Sequence, residues 1–175
     1  MRRIVVIGSG GAGKSTFSRK LGDITGIPVV HLDQLFWHPG WVRTPEDVWL
    51  GIVKQEVARP AWIMDGNFGG TREIRMRAAD TIIFLDLSRL LCLWRILKRS
   101  VLYYGRTRPD MAAGCYERID PEFFAWVWNY RDRSRKRALK ELAVLEGKNI
   151  VILQNRREVA EFLHRAAKDN ANHTR

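Results

Sequence analysis

The segment that most constrains the fold is a glycine-rich loop near the start of the chain. Residues 8–15 read Gly-Ser-Gly-Gly-Ala-Gly-Lys-Ser and match the pattern G-x-x-x-x-G-K-[ST] in full. A short apolar run, Ile4–Ile7, precedes the loop, and an amphipathic segment, Lys14–Thr25, follows it. The apolar run predicts a buried parallel strand, so the loop connects a strand to a helix, which is the context that this motif requires.

The chemistry of this loop predicts a binding site for the phosphates of a nucleoside triphosphate. Glycines let the backbone turn so that successive N–H groups point at phosphate oxygens, and the helix start adds unpaired donors. We expect Lys14 to reach the β- and γ-phosphates and the Ser15 hydroxyl to ligate Mg²⁺. The loop residues predicted to bind ATP are Gly8, Gly10, Gly11, Ala12, Gly13, Lys14, Ser15 and Thr16.

Strand-like and helix-like segments alternate along the whole chain. Strands are predicted at 4–7, 28–32, 62–64, 81–85 and 149–153. Helices are predicted at 14–25, from 45 onward, at 71–79, 88–101, 121–145 and 157–167, with a frayed tail from Lys168. The helix at 88–101 carries an apolar stripe of Leu90, Trp94, Leu97 and Val101. This alternation predicts an α/β protein with the three-layer P-loop NTPase fold, a five-stranded parallel sheet with helices on both faces. We expect a single domain over residues 1–175.

Carboxylates follow three of the predicted strands. Ligands of open parallel sheets bind at the carboxyl ends of the strands, so Asp33, Asp65 and Asp86 are the candidates. We expect Asp65, beside the loop, to hold a Mg²⁺-bound water, and its alternative role is to start a turn with Gly66. Asp86 is expected to be structural.

The charge balance predicts an affinity for polyanions. Lys and Arg number 30 against 19 Asp and Glu, which gives a formal net charge of +11. Such a surface attracts nucleotides and nucleic acids alike, although a merely solvated basic surface is the alternative. The chain carries no dedicated DNA-reading motif, so only weak, non-specific nucleic-acid binding is expected.

The remaining composition predicts a cytoplasmic protein that uses no membrane. No apolar run approaches the roughly 20 residues of a membrane span. The apolar run after Arg2-Arg3 is shorter than the core of a signal peptide, and it leads directly into the phosphate loop. Two cysteines, Cys92 and Cys115, are too few for a disulfide framework or a zinc site. Cys92 lies in an apolar helical run and is expected to be a small core residue.

Several stretches resemble P-loop kinases of the adenylate kinase and shikimate kinase group. They are Gly8–Thr16, Asp33 after the second predicted strand, WIMDG after the third and TIIFLDL as the fourth. More closely, HLDQLFWHPGW, WIMDGNFGGT and the region RTRPDM…WVWNYR are similar to small bacterial proteins known as DNA topology modulation proteins. This resemblance covers nearly the whole chain and implies an ATP-dependent phosphotransferase.

The resemblance also implies an acceptor-binding segment at about residues 33–60. Asp33 would bind the acceptor and take or orient its hydroxyl proton, with a helix cap or turn as the alternative. Trp37 and its aromatic neighbours would stack on a planar acceptor, or else form the core of a small subdomain. Gly69 and Arg72 lie where shikimate kinases have an acceptor loop, so Arg72 would clamp an acidic acceptor, unless it only begins a solvated helix.

A mobile lid is implied at about residues 103–120. Its arginines, Arg106 and Arg108, would neutralise charge on the transferred phosphoryl group. Arg131, which shares a predicted helix face with Arg135, would complete that clamp or lie on a solvated face. Arg156 would stack on the adenine base.

These expectations favour a kinase that transfers the γ-phosphoryl group of Mg·ATP to a small-molecule or nucleotide acceptor. Two rival functions stay open on the sequence alone. One is an ATP-binding protein that acts on nucleic acid and influences DNA topology, and the other is an ATPase that uses only water.

Overall fold

A five-stranded parallel sheet forms the central layer of the computed structural model, which describes residues 1–173. In chain order its strands are β1 (Arg3–Gly8), β2 (Val29–His31), β5 (Trp62–Asp65), β6 (Thr81–Leu85) and β7 (Asn149–Leu153). Two further short strands, β3 (Trp37–His38) and β4 (Val42–Arg43), form a separate antiparallel hairpin. In space the sheet order is β2-β5-β1-β6-β7, so β1 lies in the centre and leads into the phosphate loop. The predicted fold class is confirmed.

Helices cover both faces of this sheet. They are α1 (Lys14–Thr25), α2 (Leu32–Phe36), α3 (Glu46–Val57), α4 (Gly69–Ala78), α5 (Arg89–Leu102), α6 (Pro121–Asn129), α7 (Lys136–Ala143) and α8 (Arg156–His173), with a π-helical turn at Arg131–Arg135. Side chains alternate along β1: Ile4 and Val6 pack with α1, α5 and α8, while Val5 and Ile7 pack with α3, α4 and α7. Because β1 is buried on both sides, its sequence is a continuous β-branched run.

Two boundaries differ from the sequence prediction. The second strand ends at His31, and Asp33 lies in the first turn of α2 rather than at a strand end. The last helix continues through Lys168 to His173, so the predicted frayed tail is wrong for these residues, and residues 174–175 lie outside the described chain. Within residues 1–173, no helix is both long and apolar enough to cross a bilayer.

Helix α5 is apolar on two faces. Cys92 and Ile96 are fully buried against the sheet, as the sequence predicted for Cys92. The predicted apolar stripe of α5 instead faces solvent, since its four members are 42–69 % exposed: Leu90, Trp94, Leu97 and Val101. The sequence therefore predicted the helix correctly, although its stripe does not mark the core-facing side.

Candidate active site

The phosphate loop joins β1 to α1 in a conformation that needs glycine. Gly8 has φ 151°, and a Cβ atom there would lie 2.6 Å from the carbonyl oxygen of Leu85. Gly11 has φ 73° and lies directly against the backbone carbonyl of Cys92. Side chains at these two positions would clash with the backbone of neighbouring elements, so the glycines are required by packing as well as by φ.

Two side chains from elsewhere in the chain hold this loop. The amide of Asn67 pairs with Gly8 in both directions: its Nδ2 donates to the Gly8 carbonyl at 2.8 Å, and its Oδ1 accepts from the Gly8 N–H at 3.3 Å. Arg95 on α5 donates to the Ala12 carbonyl at 3.0 Å. The sequence analysis assigned no role to either residue, although Asn67 lies inside the WIMDGNFGGT stretch.

Lys14 lies at the junction of the loop and α1. Its Nζ donates to the carbonyl oxygens of Gly8 and Ser9, both at 3.0 Å. Burial lowers the pKa of this ammonium, while the negative charges of Asp33 and Asp65 act in the opposite direction. The structure thus places the lysine cation close to both predicted carboxylates.

Asp65 ends β5 beneath the loop and is almost fully buried. Its Oδ1 pairs with Nδ1 of His31 at 2.8 Å. Its other oxygen, Oδ2, is buried and has no hydrogen-bond partner within residues 1–173. Burial opposes protonation of His31, but the hydrogen bond and charge of Asp65 outweigh it and raise the histidine pKa.

Asp33 faces the same region from α2. Burial raises the pKa of this carboxyl group, and the charge of Lys14 offsets only part of that effect. A carboxylate with a raised pKa is a stronger base than an exposed one, which suits proton acceptance. Asp33 therefore faces the cavity from α2 rather than from a strand end, and its role on an acceptor stays a prediction.

One continuous cavity of about 1280 Å³ contains most of the predicted site. It runs from the base of α8, across the phosphate loop, to the β3–β4 hairpin. Of the predicted site residues, the structure brings into its lining Gly10, Gly11, Ala12, Gly13, Lys14, Ser15, Thr16, Asp33, Trp37, Arg108 and Arg156. Its volume exceeds that of a pocket for one drug-sized ligand and suits two adjoining substrates.

The predicted site residues that do not line this cavity are Gly8, Asp65, Gly69, Arg72, Arg106 and Arg131. Gly69 is exposed at the start of α4, and the lining there comes instead from the preceding residues 66–68. Arg72 is buried away from the cavity, where its Nε and Nη2 donate to the Glu141 carboxylate at 2.6 and 2.8 Å. The structure thus corrects the acceptor-clamp prediction for Arg72, because its donors are already engaged by α7.

Of the arginines predicted to clamp the phosphoryl group, only Arg108 lines the cavity. Arg106 and Arg131 are exposed and do not line the cavity. Arg135 donates to both oxygens of Asp86 at 2.8–2.9 Å, so it supports the sheet edge rather than a phosphate. Within residues 1–173, Arg131 therefore does not complete a clamp with Arg135.

The predicted lid packs against the acceptor segment. Pro109 accepts from Gln34 at 2.7 Å, and Tyr116 accepts from the Trp41 indole at 3.0 Å. Arg108 is buried and pairs with Asp110 at 3.0 Å and with Glu117 at 2.7 Å. The structure therefore describes the segment folded onto the cavity, while its mobility stays a prediction.

Asp110 is a cavity residue that the sequence analysis missed. Burial opposes its ionisation, but the charge of Arg108 and a hydrogen bond with Ser15 lower the pKa of Asp110. This contact joins the lid segment to the serine of the phosphate loop. The RTRPDM stretch contains Asp110, so that motif was the available signal.

The fold is shared with solved small-molecule kinases. No protein-family model matches the chain, and no curated protein matches it in sequence. Shikimate kinase from Bacteroides thetaiotaomicron is 15 % identical with a TM-score of 0.60, covering 95 % of this chain and 97 % of its own. Shikimate kinase from Acinetobacter baumannii, solved with shikimate, is 13 % identical with a TM-score of 0.59, covering 99 % and 94 %. A gluconokinase from Sinorhizobium meliloti is 17 % identical with a TM-score of 0.52, covering 98 % and 92 %. At these identities the likeness establishes the fold alone.

Proposed function

We propose that this protein is a P-loop kinase that transfers the γ-phosphoryl group of Mg·ATP to the hydroxyl of a small-molecule acceptor. One observation carries the proposal: the phosphate loop and a basic, half-buried carboxylate, Asp33, line the same cavity. A site for phosphate alone would need no such carboxylate. The shared fold with a gluconokinase and shikimate kinases supports this reading.

The nucleotide would occupy the end of the cavity between α1, α5 and α8. The backbone N–H groups of the loop and the start of α1 would bind the phosphates, with Lys14 at the β- and γ-phosphates. Arg95 and Arg156 line this end together with Val159 and Leu163. Two planar guanidinium groups beside apolar side chains suit an adenine ring.

The residues present fit a magnesium ion. Mg²⁺ prefers oxygen ligands and keeps several waters, so a hydroxyl and one or two carboxylates suffice. Ser15 supplies the hydroxyl, and the unpartnered Oδ2 of Asp65 has the free lone pairs to hold a metal-bound water. When bound, the ion would neutralise charge on the β- and γ-phosphate oxygens.

Asp33 would act on the acceptor. The acceptor hydroxyl oxygen forms a bond to the γ-phosphorus, while the bond from that phosphorus to the bridging oxygen of ADP breaks. The hydroxyl proton passes to the Asp33 carboxylate, whose raised pKa favours proton acceptance. The leaving ADP carries away the negative charge of the bridging oxygen, close to Lys14.

Arg108, in the predicted lid, and Arg99, on α5, both line the cavity. Both pair with Glu117, Arg99 at 3.1 Å and Arg108 at 2.7 Å. This shared carboxylate holds two guanidinium groups in fixed positions, and preorganised donors stabilise transition-state charge more effectively than mobile ones. We therefore assign phosphoryl-charge stabilisation to Arg108 and Arg99 rather than to Arg106 and Arg131.

The Lys14→Ala variant tests the proposed function. We expect ATP consumption in the presence of a screened acceptor pool to fall by about 10²-fold or more, because loss of one charge-stabilising donor has that effect. The melting temperature should stay unchanged, since Lys14 packs into neither core cluster. Lys54→Ala, on the exposed side of α3, is the matched control. Unchanged Mg·ATP affinity and turnover in Lys14→Ala would refute the assignment.

A further inference from the structure

The acceptor end of the cavity is walled by aromatic rings. Trp37 and Trp41, on and beside the β3–β4 hairpin, line it together with Phe68. The two indoles meet edge to face with centroids 5.5 Å apart. All three side chains are half-buried, so each retains surface that a ligand can cover.

Two of these aromatic residues are held in strained backbone conformations. Among the described residues, Trp41 (φ 65°) and Phe68 (φ 25°) are the non-glycine residues with positive φ, and both line this cavity. Each such conformation is energetically unfavourable and persists only where surrounding contacts enforce it, typically at ligand sites. The Trp41 indole is anchored on the Tyr116 carbonyl at 3.0 Å.

Arg75 enforces the second strained position. Its guanidinium, fully buried under the loop, donates to the carbonyls of Gly66, Asn67 and Phe68 at 2.8–3.2 Å. A buried cation that binds three consecutive carbonyls fixes the backbone on which the Phe68 ring sits. The structure therefore holds the Phe68 ring in place at an energetic cost, with one side of the ring packed on Phe36 and Trp49.

Cations without a carboxylate partner surround the same end. Arg19, Lys20 and Arg43 line the cavity, and none of them takes part in an ion pair within residues 1–173. Arg43 lies over the Trp37 ring at 5.9 Å from its centroid. Arg19 lies close enough to His31 for its charge to act on that ring. This end thus combines ring faces with cations that form no direct ion pair among the described residues, beside the carboxylates of Asp33 and Asp110.

We propose that the acceptor is an anion built on a flat, unsaturated ring. Its ring would pack against Trp37 and Trp41, and its anionic group would meet Arg19 and Arg43. A saturated polyhydroxylated acceptor would need hydrogen-bond partners around its ring, whereas indole and phenyl faces supply none. This inference rests on the proposed function, in that it takes the Asp33 end of the cavity as the acceptor site.

Binding titrations of the full chain test this inference without relying on turnover. A non-hydrolysable ATP analogue with Mg²⁺ is first added to saturation, so that ring anions cannot enter the nucleotide end. Purine and pyrimidine nucleoside monophosphates and pyridoxine phosphate are then compared by calorimetry with the matched uncharged nucleosides and with gluconate and glucose 6-phosphate. We expect at least one ring anion to bind 10-fold or more tightly than every uncharged or saturated compound.

Matched variants locate the binding. Trp37→Leu should lower the affinity for the ring anion by roughly 5- to 150-fold, the range that corresponds to 1–3 kcal/mol of stacking. Trp37→Phe should retain most of that affinity. Arg43→Gln should lower the affinity for the anion but not the affinity for the corresponding uncharged nucleoside. Trp94→Leu, on the exposed face of α5, should change nothing.

The outcomes separate this inference from the proposed function. Preference for a saturated acid, no binding of any ring anion at millimolar concentration, or full affinity in Trp37→Leu would overturn the ring-anion proposal. Phosphoryl transfer to a saturated acceptor would also overturn it, yet would leave the kinase standing. Tight ring-anion binding without phosphoryl transfer to any bound compound would support the ring site and refute the kinase.

Discussion

Asp33 is the residue on which the proposed chemistry depends most directly. Its position in the first turn of α2 aims a short side chain at the cavity, and burial raises its pKa. We expect Asp33→Asn to lower kcat by about 10²–10⁴-fold, the usual loss for a general base, while Mg·ATP affinity stays near that of the unmodified protein. Steady-state kinetics and calorimetry measure the two quantities separately.

The pH dependence follows from the same raised pKa. The base acts as a carboxylate, so kcat should decline as pH falls through the pKa of Asp33, above the ordinary Asp value of 3.8. Asp65→Asn should instead raise the Mg²⁺ concentration needed for half-maximal activity. An acid limb that is retained in Asp33→Asn, or identical behaviour of the two variants, would argue against this division of roles.

At the scale of elements, the segment Tyr103–Ile119 is the predicted lid. Arg106 is exposed and precedes Thr107, whereas Arg108 is buried and precedes Pro109, so trypsin should cut after Arg106. We expect this cleavage to slow when nucleotide and acceptor are both bound, because the segment then closes over them. Mass spectrometry of timed digests measures the effect, and cleavage that is indifferent to ligands would contradict a lid.

Glu117 provides the matched variant for the lid. Its carboxylate pairs with Arg99 and Arg108 and accepts from the Ser100 hydroxyl at 3.0 Å. Glu117→Gln would leave Arg99 without its charged partner and Arg108 with Asp110 alone, so cleavage after Arg106 should accelerate in the absence of ligand. Glu122→Gln, an exposed change at the start of α6, should digest at the original rate.

The π-helical turn between α6 and α7 explains why Arg131 and Arg135 do not act together. The Arg135 N–H donates to the Tyr130 carbonyl five residues earlier at 2.8 Å, which adds a residue to the turn. The side chain of Arg135 then meets Asp86 at the end of β6, while Arg131 faces solvent. Spacing on an ideal α-helix could not have predicted this divergence.

Removal of Arg135 should destabilise the fold. Asp86 is 6 % exposed at its side chain, so Arg135→Leu would leave a largely buried carboxylate unpaired. Full burial would make the loss about 3–5 kcal/mol, and the partial exposure of Arg135 brings it to roughly 2–3 kcal/mol. Arg131→Leu should stay within about 0.5 kcal/mol, as surface changes do. Urea denaturation of both variants makes the comparison, and equal stabilities would contradict it.

Local features of this fold could be predicted from the sequence, whereas contacts between distant residues could not. The strand–loop–helix start, the strand runs and the phosphate loop are local patterns, so each was predicted from its own stretch of the sequence alone. The partners of Arg72 and Arg135 lie 69 and 49 residues away, and only tertiary packing decides whether such a cation meets a carboxylate or a ligand. The apolar stripe on α5 did not mark the side that faces the core, because a second face of that helix, with Cys92 and Ile96, is also apolar and packs against the sheet.

At the scale of the whole molecule, the excess positive charge attracts both nucleotides and nucleic acids. Nine of the cations line the cavity: Lys14, Arg19, Lys20, Arg43, Arg95, Arg99, Arg108, Arg118 and Arg156. Under the proposed function, charge placed there would serve nucleotide and acceptor. The sequence carries no dedicated DNA-reading motif, so the proposed kinase function accounts for the positive charge without requiring a nucleic acid.

This account predicts how the protein should treat DNA. Binding should be weak, indifferent to sequence and strongly reduced by salt, because counterion release lowers the affinity by roughly 0.9 log units per log unit of salt for each phosphate contacted. Mg·ATP should weaken it further, since the nucleotide occupies arginines that would otherwise contact the phosphate backbone. A protein built to act on DNA would instead keep a preference for one sequence or shape at physiological salt. Titrations of labelled duplexes at several salt concentrations, with and without Mg·ATP, distinguish the two. Tight, salt-resistant and ATP-stimulated binding, without phosphoryl transfer to any small acceptor, would replace the kinase with a nucleic-acid-associated ATP-binding protein.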